Sequence, residues 1–184
     1  MKRDFYPGEP GHAFIEILLI LLILGAIAFC GLEFVRSLRH SQVAATLSRE
    51  AASVAFRDCT ASNTPVPCLD REKQQVAKIA NSLFPGGEVI ISLLTYDQIT
   101  NKFVLVARST LTGPYASKFG LTLPGPKIGT ALTGILADIN VVSAIKSNRT
   151  TVVAEVFLPY DAIVKGIPKM FSYDPDVFYD ITIM

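Results

Sequence analysis

The chain has no tryptophan, only two histidines and three cysteines, and almost no net charge across its 184 residues. Each shortage closes off a class of function. The histidines, His12 and His40, flank one apolar block and stand far in sequence from the aspartates of the C-terminal half. No Gly-x-Ser-x-Gly, P-loop or His-Glu-x-x-His pattern occurs, so no nucleophile, phosphate cradle or zinc-binding helix can be assembled from motifs. The expectation is a non-enzyme, with no cofactor, no catalytic residue and no metal ligand. Seventeen Lys and Arg against sixteen Asp and Glu leave a formal charge of +1. That is no electrostatic footprint for nucleic acid. No run of like charges marks a disordered interaction tail either. Asp174 and Asp176 flank Pro175, a spacing better explained by an exposed turn than by a cation site.

What the chain does have is apolar residues, half of the total, with a mean hydropathy of +0.40. The excess is concentrated near the N-terminus. Ile17 to Leu32 carries no charge and lies between two acids, Glu16 and Glu33. Extended to Phe14 and Phe34, the block makes about 31 Å of helix at about 1.5 Å per residue. A bilayer hydrocarbon core is about 30 Å thick, so a transmembrane helix is the direct reading. Lys2 and Arg3 precede the block and Arg36 and Arg39 follow it, so charge count alone leaves the orientation open. Two other readings compete. Ala26-Ile27-Ala28 has the small-x-small form of a signal-peptidase site, which would start the mature chain at Phe29. The block could also be an uncleaved signal anchor. A lipoprotein signal at Cys30 is disfavoured by the bulky Phe29 before it.

Glu16 is the residue that does not belong in such a block. A carboxylate costs about 2.5–3.5 kcal/mol at the centre of a membrane helix and less near the interface, so an acid there marks either an interfacial position or a paired function. Five residues before it stands Gly11, itself preceded by a short polar leader, Met1 to Pro10. The string Gly11-His12-Ala13-Phe14-Ile15-Glu16, followed directly by the apolar run, resembles the type IV prepilin signal. The resemblance implies cleavage between Gly11 and His12 by a membrane-embedded prepilin peptidase. Glu16 would become the fifth residue of a mature chain whose new N-terminus is often methylated. The chemistry stands by itself: cleavage creates an α-amino group on an apolar helix, and the carboxylate of a neighbouring subunit can pair with it. Leaving either charge alone in a packed bundle is expensive, and this enforces helix register.

The continuation narrows the resemblance. Gly31-Leu32-Glu33-Phe34 closes the apolar run, and an Ala-rich amphipathic stretch follows from Gln42 to Ala52. Val152 to Tyr160, then Gly166-Ile167-Pro168, then an alternating terminal segment, complete the pattern. Together these are similar to the TadE-like pseudopilins and minor pilins of tight-adherence pilus systems. The chain departs from that pattern at Ile17, where Phe is usual, and in lacking a Pro within the apolar helix. The resemblance implies an inner-membrane protein with its C-terminal domain outside the cytoplasm. Its implied partners are prepilin peptidase, other pilin or pseudopilin subunits, an inner-membrane assembly platform and membrane lipid, with no nucleic acid. A type II secretion pseudopilin would share the processing. A single-pass anchored binding domain that never enters a fibre is the alternative of a different class.

The implied organisation is a leader (1–11), a transmembrane helix (12–34), an amphipathic extension (35–58) and an α+β head (59–184). The extension should bury a stripe of Val43, Leu47, Ala51 and Val54, with Arg49, Glu50, Ser53 and Arg57 opposite. Cys59 and Cys68 bracket a stretch rich in turn formers and make a candidate disulfide in an oxidising compartment. Asp70 is expected to cap a helix through Leu83, burying Val76, Ile79, Ala80 and Leu83, and Pro85-Gly86-Gly87 should end it. Residues 88–96 and 102–109 read as a hairpin turning at Gln98–Asn101, 113–129 as loop, and 130–147 leans to helix. Residues 151–158 and 177–183 read as strands, the last alternating Val177, Tyr179, Ile181 and Ile183. The expected fold is α+β and pilin-like, a long N-terminal helix followed by a small antiparallel sheet.

Overall fold

A computed structural model describes residues 10–97, 102–117, 131–132, 150–161 and 177–184. Among them the chain forms helices α1 (Pro10–Cys59) and α2 (Pro65–Leu83) and strands β1 (Glu88–Asp97), β2 (Lys102–Arg108), β3 (Ala131–Leu132), β4 (Thr150–Pro159) and β5 (Val177–Ile183). The architecture is α+β, a long N-terminal helix followed by an antiparallel sheet of order β3-β2-β1-β4-β5. The described residues divide into two compact units: α1 up to Leu38, and the rest from Arg39 onward.

In the first unit the apolar side chains of α1 are uncovered. Phe14, Ile15 and the Leu/Ile run from Ile17 to Leu24 are all exposed. The most apolar window of this helix has a mean hydropathy of 2.8 and is 0 % buried, and its length and composition suffice to cross a membrane. A helix segment that is apolar all round, with these side chains exposed, is satisfied by a nonpolar surrounding.

In the second unit α1 changes character. Its buried face is Ala44, Leu47, Ser48, Ala51, Ala52, Ala55 and Cys59, while Arg49, Glu50, Ser53 and Arg57 are exposed. Of the expected stripe, Leu47 and Ala51 are buried but Val43 and Val54 are only half-buried. The face is centred on alanines and a serine, whose small side chains let the helix lie close to the sheet.

Helix α2 starts earlier than its acids suggest. Thr64 is the N-cap and Pro65 opens the first turn, where a residue without an N–H and with a preset φ fits. Asp70 therefore sits inside the helix and caps nothing; its carboxylate accepts from the backbone N–H and hydroxyl of Thr110. The buried face runs through Leu69, Glu72, Lys73, Val76 and Ala80. Ile79 and Leu83, expected in the core, are 43 % and 48 % exposed. Glu72 and Lys73 stand four and three residues before Val76, so two charges are buried on the same helix face as Leu69, Val76 and Ala80. The helix stops at Leu83: Phe84 N–H returns to Ala80 O, and Gly86 takes φ 85°, a conformation that only glycine adopts freely.

Strands β1 and β2 pair from Asp97↔Lys102 to Ser92↔Arg108, with a bulge between Leu93 and Leu94. The expected turn at 98–101 lies outside the described residues, as do residues 1–9 of the expected leader (1–11), residues 118–130 and the expected Asp174-Pro175-Asp176 turn. Ala131 and Leu132 overturn the helical reading at their positions by pairing as strand with Val104 and Phe103; 133–147 lies outside the described residues. Strand β4 lies between β1 and β5 and is buried on both faces, which is why Thr151–Leu158 reads as a nearly continuous apolar run. Its even residues share a face with Val89, Ile91 and Leu93, and with Phe178, Asp180 and Thr182 of β5. Helix α1 packs on this face, with the Ser48 hydroxyl bonded to Asp180 Oδ2 and Thr182 Oγ1. The alternation Val177, Tyr179, Ile181, Ile183 marks the opposite face.

Candidate anchoring and assembly sites

The residues singled out from sequence fall in two places. Gly11 and His12 belong to the first turn of α1, and Glu16 lies on the same helix with its side chain exposed. Glu16 is the one charge on the exposed apolar stretch between Phe14 and Leu32. The second acid, Glu33, is buried and lies 3.8 Å from Arg36 Nη1. The free cysteine, Cys30, is half-buried on the same helix.

Cys59 and Cys68 are far from this segment in the chain and joined to each other. Their disulfide, with Cα atoms 5.6 Å apart, ties the last residue of α1 to the beginning of α2 across the turn 60–64. The imidazole of His40 is buried among rings from three further elements. Phe84, Tyr160 and Phe178 lie with centroids 4.0, 4.9 and 5.6 Å away, so one α1 side chain meets the end of α2, the end of β4 and β5.

Two buried charge clusters went unread in the sequence. In the first, Asp70 and Lys73 of α2 and Glu88 of β1 all hold the segment after β2. Asp70 binds Thr110, Lys73 Nζ donates to Thr110 O and to Thr112 Oγ1 (2.9 Å), and Glu88 accepts from Gly113 N (2.9 Å) and Tyr115 N (3.2 Å). Lys73 and Glu88 are both buried and lie 3.8 Å apart. The result is a strap, residues 109–117, laid across the sheet with Tyr115 stacked on Phe157 at 5.1 Å.

The second cluster sits beneath that strap. Glu155, fully buried on β4, accepts from the Ser117 hydroxyl and from Tyr179 Oη (3.0 Å). Arg108 donates to Ser92 Oγ (3.0 Å) and Ser117 Oγ (3.3 Å). Burial pushes the Arg108 guanidinium below its ordinary range, and the charge of Glu155 opposes that shift. Burial, with Glu155 as the next cause, raises the Tyr179 phenol far above the usual tyrosine range. One acid inside the apolar run Val152-Val153-Ala154-Glu155-Val156-Phe157 was the available signal, since an acid is buried only when paired and hydrogen-bonded.

Both clusters point their polar atoms at the protein's own backbone and hydroxyls, which is the pattern of a structural clamp. A cleft of about 440 Å³ borders the first, lined by Asp70, Lys73, Gln74, Lys78, Asn81 and Thr112 among others. Among the described residues no group of three His, Cys, Asp or Glu could hold a metal ion. Comparison with protein-family models, curated proteins and solved structures finds no match.

Proposed function

We propose that the chain is a pilin-like structural subunit, a minor pilin or pseudopilin of the TadE-like kind, acting in assembly of a surface fibre. The observation that carries this reading is the exposed apolar stretch of α1 holding one acid, Glu16, five residues after Gly11. Prepilin peptidase would cut between Gly11 and His12. The freed α-amino group and a Glu16 carboxylate from different subunits would then set the register of packed helices. The helix anchors the subunit in the inner membrane, in contact with lipid and the assembly platform. The head lies outside the cytoplasm, a placement the Cys59–Cys68 disulfide supports because such bonds persist in oxidising compartments.

The test is intact mass and N-terminal sequencing of the membrane-extracted native protein. A chain starting at His12, with or without one methyl group, is the expected result. An uncleaved N-terminus in cells with active prepilin peptidase would sink the proposal in favour of an anchored binding domain. A start at Phe29 would make the block a secretion signal. With the chain starting at His12, Glu16→Ala should abolish incorporation into fibres while leaving cleavage intact.

A further inference from the structure

The uncharged run Ile17–Leu32 makes about 24 Å of helix at about 1.5 Å per residue. A bilayer hydrocarbon core is about 30 Å thick, so the run is about one helical turn too short to fill it. The core must therefore extend past one of the flanking acids, Glu16 or Glu33, and these are placed differently. Glu16 is exposed on α1, and extension on its side would set the carboxylate against acyl chains. Glu33 is buried, with Arg36 Nη1 3.8 Å away. What α1 presents outward beyond Glu33 is apolar: Phe34, Val35 and Leu38 are 64 %, 63 % and 45 % exposed.

These three side chains stand seven, eight and eleven residues after Ile27, also exposed, and so continue its side of the helix. Arg36 is half-buried, and its long stem lets a guanidinium reach headgroup level from about one turn below. The exposed charge that ends the apolar surface is Arg39. The compact unit holding the apolar stretch also stops at Leu38, and His40 is already buried among rings of the head. Ile17–Leu38 makes about 33 Å of helix, which a modest tilt fits to the core.

We propose that the membrane-spanning segment of α1 is Ile17–Leu38, in which Phe34, Val35 and Leu38 contact acyl chains of the leaflet on the head side and Arg39 meets its phosphates. This deepens the membrane anchoring proposed above and rests on it, but not on prepilin processing or on the direction of insertion. The span reaches four residues closer to the head than the expected 12–34. The occupant is lipid for two reasons. The three side chains prolong a surface whose Leu and Ile residues are all exposed from Ile17 to Leu24, and only with them does the apolar length match a bilayer. Glu16 then lies at the opposite interface, where an exposed carboxylate costs less than in the core. Glu33 is carried inside the head-side leaflet, withdrawn from lipid by its burial and accompanied by Arg36.

The test uses the full chain reconstituted in vesicles of phosphatidylethanolamine and phosphatidylglycerol. Cys30→Ala removes the free thiol, while Cys59 and Cys68 stay joined. A nitroxide is attached in turn at Leu22→Cys, Val35→Cys, Leu38→Cys and Gln42→Cys, all exposed positions. Its collisions with oxygen, which concentrates among acyl chains, are compared with those of a water-soluble nickel chelate. Positions 35 and 38 should follow position 22 and favour oxygen by about three-fold or more, and position 42 should show the reverse. Without the nitroxide, a charged maleimide should react with Gln42→Cys about ten-fold or more faster than with Leu38→Cys. Chelate access at 35 and 38 equal to that at 42, with 22 still favouring oxygen, overturns the proposal and leaves the anchor standing. Chelate access at all four positions overturns the anchoring and this span with it. Shielding of 35 and 38 from both reagents overturns lipid as the occupant in favour of a second helix.

Discussion

Replacing Gly113 by alanine should destabilise the head through a single partner, Glu88. A Cβ at Gly113 would overlap Glu88 Oε2 and come within 2.5 Å of Cδ and 3.0 Å of Oε1. The end of a glutamate side chain ordinarily swings aside at little cost, but this one is buried and committed. It accepts from Gly113 N and Tyr115 N and faces the buried ammonium of Lys73 at 3.8 Å. Hydrogen bonds to a charged group contribute about 1.5–3 kcal/mol each. Displacing the carboxylate loses one or both and weakens the Lys73 pair, so Gly113→Ala should cost about 2–4 kcal/mol. Glu88→Ala, which strands a buried ammonium, should cost about 3–5 kcal/mol. In the Glu88→Ala background the added methyl meets no carboxylate, and Gly113→Ala should then cost less than about 0.5 kcal/mol. The assay is guanidinium unfolding of the full chain in detergent, followed by near-UV circular dichroism with the disulfide intact, run as a double-mutant cycle. Additive costs within about 0.5 kcal/mol would refute the reasoning and place the cost of Gly113→Ala in its own backbone.

Three further outcomes follow from the same structure. Cys68→Ser, or reduction of the disulfide, should lower stability by about 2.5–3 kcal/mol on the chain-entropy model for a loop of this size, measured by the same unfolding curves. Ser48→Ala removes the hydroxyl that α1 gives to Asp180 and Thr182 and should cost about 1–2 kcal/mol, whereas Ser48→Thr should recover part of the loss; equal values for the two would deny the contact a role. The Tyr179 phenol is raised above its unfolded value, so its contribution is whole below about pH 10, the ordinary tyrosine value. Above that pH the unfolded chain releases the proton first, and stability should fall as pH rises. Tyr179→Phe should flatten the alkaline limb of stability against pH, and a limb unchanged from wild type would assign the loss to other groups.

The sequence by itself determined the elements whose signal is local. The apolar run from Ile17 to Leu32 dictates a helix suited to a nonpolar surrounding whatever the rest of the chain does, because no charge interrupts it. Pro85-Gly86-Gly87 ends α2, and the bounds of β4 and β5 were legible from β-branched and aromatic residues without a breaker. Gly11, His12 and Glu16, the proposed processing and register residues, are read from a short, linear signal. Competition between neighbours blurred the next level. Pro65 and Pro67 read as turn formers yet sit in the first turn of α2, where a missing N–H costs nothing, and Asp70 was thereby displaced from cap to helix interior. What only the tertiary structure decided is which polar groups are inside. Lys73, Glu88, Arg108 and Glu155 have the side chains of surface residues, and nothing in their local sequence names the partner that makes burial tolerable. Those partners stand 16 to 39 residues away along the chain, at Gly113, Thr110, Thr112, Ser92 and Ser117. Likewise, the exposure of Ile79 and Leu83 depends on which element lands beside them. Local chemistry chooses the conformation of a segment, but desolvation is settled between segments, and only the fold brings those together.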